Sequence, residues 1–496
     1  MTYRHGRYGA VAAGHGVTAA AAEEILAEGG NAFDAAIAAL WTACVAEPVF
    51  ASPGGGGFLM ARPAAGALTL YDFFVDTPLK KRPEDDIEFA EILADFGTAT
   101  QAFHIGAGAA ATPGFVPGLF AVHAAHGRVP MKRLVEPAIR AAREGVTVTA
   151  FQAFLFKVVN PILVWTAPAR AVFSPDDKLL EEGAPYRNPD LADVLDEIGR
   201  EGERFAREGE LAAAMLGETR EAGHLTREDL VAYEVARREP IRRKLPGWEI
   251  ALNPAPSMGG TLIAAMLAAR DPLRRPDALC LAEAIDATDR RWREAPTDPG
   301  RLLGAAQPLV AGLATRGTTH VGVADREGNV AAVTVSNGEG NGRIVPGCGF
   351  MLNNMLGEED VNPGGFHRWA TGARLSSMMA PTVAVSGAGD LVALGSGGSN
   401  RIRTAVLQVL IHRLEKGLDL EAAVAAPRMH VEKGHLDFED FFGEDARSAL
   451  MEAFRDHRAW PEPSLFYGGV HSVERRADGA FAGSGDPRRE GVFVVV

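Results

Sequence analysis

The stretch Gly317-Thr318-Thr319-His320-Val321-Gly322-Val323-Ala324-Asp325-Arg326-Glu327-Gly328-Asn329-Val330-Ala331-Ala332-Val333-Thr334-Val335 carries the sharpest local pattern in the chain. Two β-rich runs, Thr319–Ala324 and Val330–Val335, flank a polar turn whose Gly328 stands where a positive φ is wanted, which predicts an antiparallel hairpin. Upstream, Pro296–Gly317 has no clear periodicity and holds three prolines and four glycines. It reads as a loop of roughly twenty residues, and loops of that length are usually functional or disordered. A threonine pair between such a loop and a strand is unremarkable by itself, because threonine favours strands.

One mechanism gives the position meaning. If the chain is cut before Thr318, that residue gains a free α-amino group beside its own hydroxyl. With an unperturbed pKa near 8, the amine is partly neutral at pH 7 and can take the hydroxyl proton, making Thr318 a nucleophile. His320 is a candidate base beside it. The N-terminal-amine mechanism needs no histidine, however, and a histidine inside a strand reads as structural.

Working outward, Leu391–Leu394 predicts a strand, Gly395-Ser396-Gly397-Gly398-Ser399 a glycine loop, and Ile402–Lys416 a helix. Unpaired N–H groups at a helix N-terminus attract anions, a tetrahedral oxyanion included. The loop lacks the lysine and spacing of a phosphate-binding P-loop, which disfavours a nucleotide. Nearer the start, Thr18 caps a run through Ala27 that Gly29-Gly30 stops, and Asn31 with Asp34 resembles a capping box. The helix Ala32–Ala46 is apolar on nearly every face and belongs in a core, with Pro48 ending it. Gly54–Gly57 precede a strand at Phe58 and permit close backbone approach. Helices are expected at Met131–Glu144, Pro189–Gly199 and Leu211–Tyr233, then a strand over Trp248–Leu252 and a helix opened by Ser257-Met258-Gly259-Gly260.

The 496 residues, 47% hydrophobic and 23% charged, make an enzyme-sized globular chain and exclude intrinsic disorder. A formal charge of −14 without a dense Lys/Arg run argues against nucleic acid as a partner. Cys44, Cys280 and Cys348 cannot form a disulfide framework, no secretory h-region opens the chain, and the longest apolar run is far short of the ~20 residues of a membrane span. These features favour a reducing cytoplasm and no membrane partner. His123-x-x-His126 and His435-x-Asp437-x-Glu439 have partial metal-ligand spacing but no further ligands nearby, so neither a metal nor a cofactor is expected.

Several motifs in register resemble the gamma-glutamyltranspeptidase family. They are Gly29-Gly30-Asn31-Ala32-Phe33-Asp34-Ala35-Ala36, Glu47-Pro48 with the glycine block to Gly57, Pro254–Gly260, and Thr318-Thr319-His320 with Asp325 and Gly328-Asn329. Leu352-Asn353-Asn354, Leu375-Ser376-Ser377-Met378, Gly395–Ile402, Ala426-Pro427-Arg428 and Asp486-Pro487-Arg488 complete the series in family order. The resemblance implies an α+β fold, the four-layer αββα sandwich of N-terminal-nucleophile hydrolases. It implies a precursor, or zymogen, that cuts itself between Gly317 and Thr318. Residues 1–317 would form a large subunit and 318–496 a small one, both folded as one unit. Thr318 would attack a γ-glutamyl amide such as glutathione and pass the acyl group to water or to an amino-acid acceptor, as a hydrolase and acyltransferase of glutathione metabolism. Backbone N–H groups of Gly398 and Ser399 would hold the oxyanion, with Ser399 where the family has a second glycine. Ser336 would stand where the family has a threonine hydroxyl near the nucleophile. Asn337, Glu358, Ser376 and Ser377 would contact the substrate.

Two departures bear on the substrate. Phe74, in Asp72-Phe73-Phe74-Val75-Asp76-Thr77-Pro78, occupies the position of the family arginine that forks onto the glutamyl α-carboxylate, and phenylalanine cannot replace that bidentate pair. Met355 stands where the family has a polar side chain, though Glu358 could still bind an ammonium. A second expectation is therefore the same machinery on a small acyl amide lacking the glutamyl head, of oxamate or acyl-β-lactam type. A third is an uncut, non-catalytic binding protein, against which Gly317, Thr318 and the glycine loop argue.

Overall fold

The computed structural model describes residues 3–95, 100–270, 277–294, 317–359, 361–362 and 364–496. Among these, the two main sheets are built from β1 (Gly9–Ala13), β2 (Gly56–Arg62), β3 (Thr69–Phe73), β4 (Ala236–Arg238), β5 (Ile241–Leu245), β6 (Trp248–Leu252), β7 (Thr319–Asp325), β8 (Val330–Ser336), β9 (Thr382–Ser386), β10 (Leu391–Gly397), β11 (Gly469–Arg475), β12 (Phe481–Ser484) and β13 (Val492–Val495). One sheet runs β13-β1-β7-β8-β2-β3-β4 and the other β12-β11-β10-β9-β6-β5, with every neighbour antiparallel. The expected hairpin is β7–β8, with Val321 opposite Val333 and Gly328 at φ +92°.

Alternation along the strands sorts side chains into layers. Val11, Leu59, Val321, Val323, Val333 and Val335 point into a core shared with α1 (Gly16–Ala27), α2 (Ala32–Ala46), α3 (Met131–Glu144) and α4 (Pro189–Glu201). Their neighbours Ala10, Phe58, Met60, Ala324 and Ala332 face the second sheet, whose Ala384, Val392, Leu394 and Val473 join a core with α5 (Gly259–Ala269), α6 (Ala278–Glu294) and α7 (Ile402–Leu410). The result is helix, sheet, sheet, helix: the four-layer α+β sandwich.

All fifteen residues of α2 are buried. Its N-terminus is fixed by the capping box: Asn31 Oδ1 accepts from the Phe33 and Asp34 N–H groups, and Asp34 Oδ2 accepts from Asn31 N at 3.0 Å. The hairpin contributes a third contact, Asp325 Oδ2 accepting from Ala32 N at 2.9 Å, while Asp325 also holds Asn329 across its turn. Asp325 and Asn329 therefore pin the first sheet to its main helix.

Several expectations are corrected. α1 is capped by His15, whose Nδ1 accepts from Val17 N, whereas the Thr18 hydroxyl is drawn inward to donate to buried Glu47 at 2.7 Å. Leu211–Tyr233 is not one helix: it breaks between Glu210–Thr219 and Arg227–Ala232, where Gly223 lies against the Ala107 carbonyl and Thr226 caps the second piece. α7 ends at Leu410 and continues as a π turn over Ile411–Glu415. The strand β10 runs on to Gly397, so the glycine loop is shorter than its sequence suggests. Of the long loop, residues 296–316 lie outside the described residues. Cys44, Cys280 and Cys348 are buried and form no disulfide, and among the described residues no helix is long and apolar enough to cross a membrane.

Two distant motifs meet in one ion pair: Arg428 Nη2 lies 2.5 Å from Asp486 Oδ2, and Arg488 forks onto Glu439. Asp486 also accepts from Val470 N, and its own N–H donates to Nδ1 of buried His471 at 3.2 Å. Burial, outweighing the Asp486 charge, pulls the His471 pKa down to about 4. The folded value lies below the unfolded one, so this histidine's stabilisation is complete above about pH 6.5 and is lost as the pH falls toward 4. We expect urea unfolding to lose about 2 kcal/mol from His471 between pH 7 and 4.5, and His471→Gln to flatten that slope. An unchanged slope in the variant would contradict the assignment.

Candidate active site

Thr318 immediately precedes β7 and is 5% exposed. The peptide before it is held on both sides: Gly317 N–H donates to Glu339 Oε1 at 2.8 Å, and the Gly317 carbonyl accepts from Ser336 Oγ at 2.5 Å. Ser336 Oγ in turn accepts from Gly338 N at 3.0 Å. A hydroxyl polarised by one N–H and donating to the Gly317 carbonyl withdraws electron density from that peptide bond. Glu339 was not singled out in the sequence. Its signal was its place in Asn337-Gly338-Glu339-Gly340, directly after the hairpin.

On the other side of Thr318 lies the end of β10. A Cβ on Gly397 would sit 2.1 Å from the Thr318 carbonyl oxygen, so only glycine permits this approach. Gly398 follows at φ +124°, where a Cβ would fall 2.8 Å from Gly468 Cα. Ser399 has φ +54°, a left-handed conformation that glycine adopts freely and serine adopts at a cost of about 1–2 kcal/mol. Its 3-10 turn, Ser399–Arg401, leads into α7.

Thr318, Ser336 and Ser399 open onto one pocket, whose remaining lining is Phe74, Met355, Glu358, Val361, Ser377, Met378, Met379 and Ile402. The structure therefore brings together six of the sequence-selected side chains, namely Thr318, Ser336, Ser399, Phe74, Glu358 and Ser377. Val361, Met378, Met379 and Ile402 were missed, because apolar residues in turns look like ordinary core. Ser376 is half-buried beside the pocket without lining it. Asn337 directs its amide nitrogen to the Met351 carbonyl at 3.4 Å. The pocket wall is backed by the proline-rich segment: Asn253 Nδ2 and Ser257 Oγ reach the carbonyls of Met379 and Ser377, and Met258 N donates to Ser377 O at 2.8 Å.

Among the described residues, no side chain lining the pocket is basic. Phe74 stacks on Phe58 with ring centroids 5.5 Å apart, filling the place expected for an arginine. The neighbouring cation, Arg374, is committed elsewhere: it bonds Asp72 Oδ1 at 2.6 Å and Asp76 Oδ1 at 2.5 Å, and donates to the Glu234 carbonyl. His320 is fully buried, with Nδ1 2.8 Å from Thr334 Oγ1 and its ring against Gly395. Burial holds its pKa well below the usual histidine value, so it is neutral and structural. The histidines with ligand-like spacing have other partners: His123 pairs with the Val129 carbonyl, His126 with Tyr71, and His435 with Asp456. Asp437 is taken by Arg458 and Trp460 and Glu439 by Arg488.

Two stacked antiparallel sheets between helical layers, with a buried threonine opening a central strand, define the N-terminal-nucleophile hydrolase fold. The gamma-glutamyltranspeptidase family model matches residues 18–277 and 281–496, and the chain belongs to that family. It is 31% identical to the Acylase ACY 1 proenzyme of Pseudomonas sp. (strain V22), over 99% of this chain and 94% of the relative. It is 28% identical to the Glutathione hydrolase proenzyme of Escherichia coli (strain K12), over 94% and 88%. In fold it is similar to the crystal structure of cephalosporin acylase from Bacillus halodurans, with a TM-score of 0.83, 23% identity and coverage of 100% and 97%. The chain is an enzyme of the amide-hydrolysing N-terminal-nucleophile class.

The loop geometry generates a stability prediction. Gly398→Ala should lower the unfolding free energy by at least about 2 kcal/mol, because the new Cβ meets Gly468 and φ is positive. Ser399→Gly should stay within about 1 kcal/mol of wild type. Denaturant melts of both variants check this, and a tolerated Gly398→Ala would refute the loop conformation.

Proposed function

We propose that this chain is a self-cleaving acylase: after a cut between Gly317 and Thr318, the new N-terminal threonine attacks the carbonyl of an amide whose acyl group is largely apolar. The observation that carries the substrate class is the pocket beside Thr318, walled by Phe74, Met355, Val361, Met378, Met379 and Ile402, with no cation among the described residues that line it. The similarity to the Acylase ACY 1 proenzyme over nearly the whole chain supports an acylase reading.

In the uncut chain Ser336 polarises the Gly317 carbonyl, so the Thr318 hydroxyl can add to it and, as its proton passes to the departing nitrogen, form an ester with Gly317 and free the α-amine; water then hydrolyses that ester, releasing the Gly317 carboxylate and restoring the Thr318 hydroxyl. That amine then serves as base: it accepts the Thr318 hydroxyl proton as the oxygen adds to a substrate amide, and returns it to the leaving nitrogen. The N–H groups of Gly398 and Ser399 face the developing oxyanion. Water, or an amine acceptor, releases the acyl group by the reverse sequence. The two pieces, residues 1–317 and 318–496, stay in one fold because the first sheet interleaves them.

The γ-glutamyl reading is the second one, and Glu358 with Ser377 in the pocket is what favours it. A carboxylate can hold an α-ammonium, but the α-carboxylate would find hydroxyl and backbone donors in place of a guanidinium fork.

Two experiments test these readings. Thr318→Ala should remain a single 52.5 kDa chain while wild type yields two fragments, the smaller beginning at Thr318; Ser336→Ala should cut about 10- to 100-fold more slowly. A Thr318→Ala variant that matched wild type would leave only a binding protein. Straight-chain acyl p-nitroanilides, from acetyl to octanoyl, should then exceed γ-glutamyl p-nitroanilide in kcat/KM by about tenfold or more. The reverse order would establish the γ-glutamyl reading instead.

A further inference from the structure

Behind the glycine loop lies an arginine that neither the fold nor the pocket accounts for. Arg488 and Arg489 are adjacent, yet their surroundings differ. Arg488 spends its donors on Glu439, Asp486 and the carbonyls of Val424 and Ala426. Arg489 is also buried, at 5% exposure, but its Nε and Nη1 have no hydrogen-bond partner among the described residues. Buried guanidinium donors ordinarily find acceptors, and a lone one costs stability. Burial, reinforced by the Arg401 and Arg428 charges and opposed by those of Asp486 and Glu339, lowers its pKa to about 10, which still leaves it a cation at neutral pH.

Its position suggests what the charge is for. The Arg489 stem packs over Gly469, and the guanidinium lies 5.7 Å from the Phe50 ring centroid. A Cβ on Gly397 would be 2.9 Å from Arg489 Nη1 and 2.1 Å from the Thr318 carbonyl oxygen; one on Gly398 would be 3.4 Å from Nη2. Both glycines are thus in van der Waals reach of the guanidinium, on the backbone that leads directly into the Gly398 and Ser399 N–H groups.

Resting on the amide-turnover reading above, we propose that Arg489 is a positioning residue. Its guanidinium fixes the Gly397–Gly398 backbone and holds a positive charge behind the point where the substrate oxyanion forms. The charge interacts more strongly with the tetrahedral oxyanion than with the neutral amide, so its contribution falls on kcat and leaves ground-state binding nearly unchanged. Self-cleavage is affected less, because the carbonyl broken in that step, Gly317, is served by Ser336.

The test compares wild type, Arg489→Gln and Arg489→Lys by intact mass and by steady-state kinetics on the p-nitroanilide that wild type turns over fastest. The expected result is normal fragment formation in all three, a kcat about 10- to 100-fold lower for Gln with KM changed less than about threefold, and partial recovery for Lys. A Gln variant with wild-type kcat, or one altered only in KM, overturns the proposal. If Gln unfolds too readily to assay, Lys decides: kcat within about fivefold of wild type supports the role of the charge, and a loss of two orders of magnitude overturns it. Failure of the turnover reading itself would show differently, as a wild-type protein that neither cuts at Thr318 nor releases p-nitroaniline.

Discussion

The contact between Gly397 and the Thr318 carbonyl oxygen sets the distance on which the site depends, because it leaves no room for a side chain where the two sheets meet. β7 belongs to one sheet and β10 to the other, and their ends converge here. With that approach fixed, Ser336 at the end of β8 reaches the peptide before Thr318, while Ser399, just beyond Gly398, lines the same pocket. The sheets hold the approach from both sides. The β7–β8 pairing gives one wall its register, and Ser396, whose Oγ accepts from Gly469 N, ties the other to β11.

The parts of this arrangement that were legible in the sequence are those decided locally. The hairpin turn needs a glycine at positive φ, and the α2 capping box needs two side chains three residues apart; both appear as written. What escaped was decided by tertiary contact. The Thr18 hydroxyl was drawn to Glu47, twenty-nine positions away, leaving His15 to cap α1. The run from Leu211 to Tyr233 has helical composition, yet it breaks where Gly223 meets the Ala107 backbone. Arg428 and Asp486 were visible as members of separate motifs, but only folding makes them one ion pair. The apolar wall of the pocket was half legible. Phe74 announced the loss of a cation, whereas Met379 carries no local signal of a site and is placed by Asn253 and Ser257, which bond its carbonyl from a distant segment.

Polarity is therefore distributed unevenly around Thr318. Among the described residues, the pocket side is chiefly hydrocarbon with one carboxylate, and the side behind the glycine loop holds several arginines and their acids. Charge placed behind the backbone acts through fixed dipoles and does not compete for the ligand's own groups, whereas charge in the pocket would select among ligands.

The strand order of the first sheet has a further consequence. β7 and β8 sit in its middle, flanked on one side by β1 and on the other by β2, so strands from either side of residue 317 alternate across it. While the chain is continuous, these strands find one another at the high effective concentration of a tethered loop. If the chain is severed at that point, as proposed, the same sheet would be held only by its pairings, and its two pieces would be free to diffuse apart on unfolding. Reassembly would then be a second-order process, and the protein's persistence would be governed by how slowly it opens rather than by how readily it reforms. Such a fold would be assembled once, as a single molecule, and thereafter kept by its barrier.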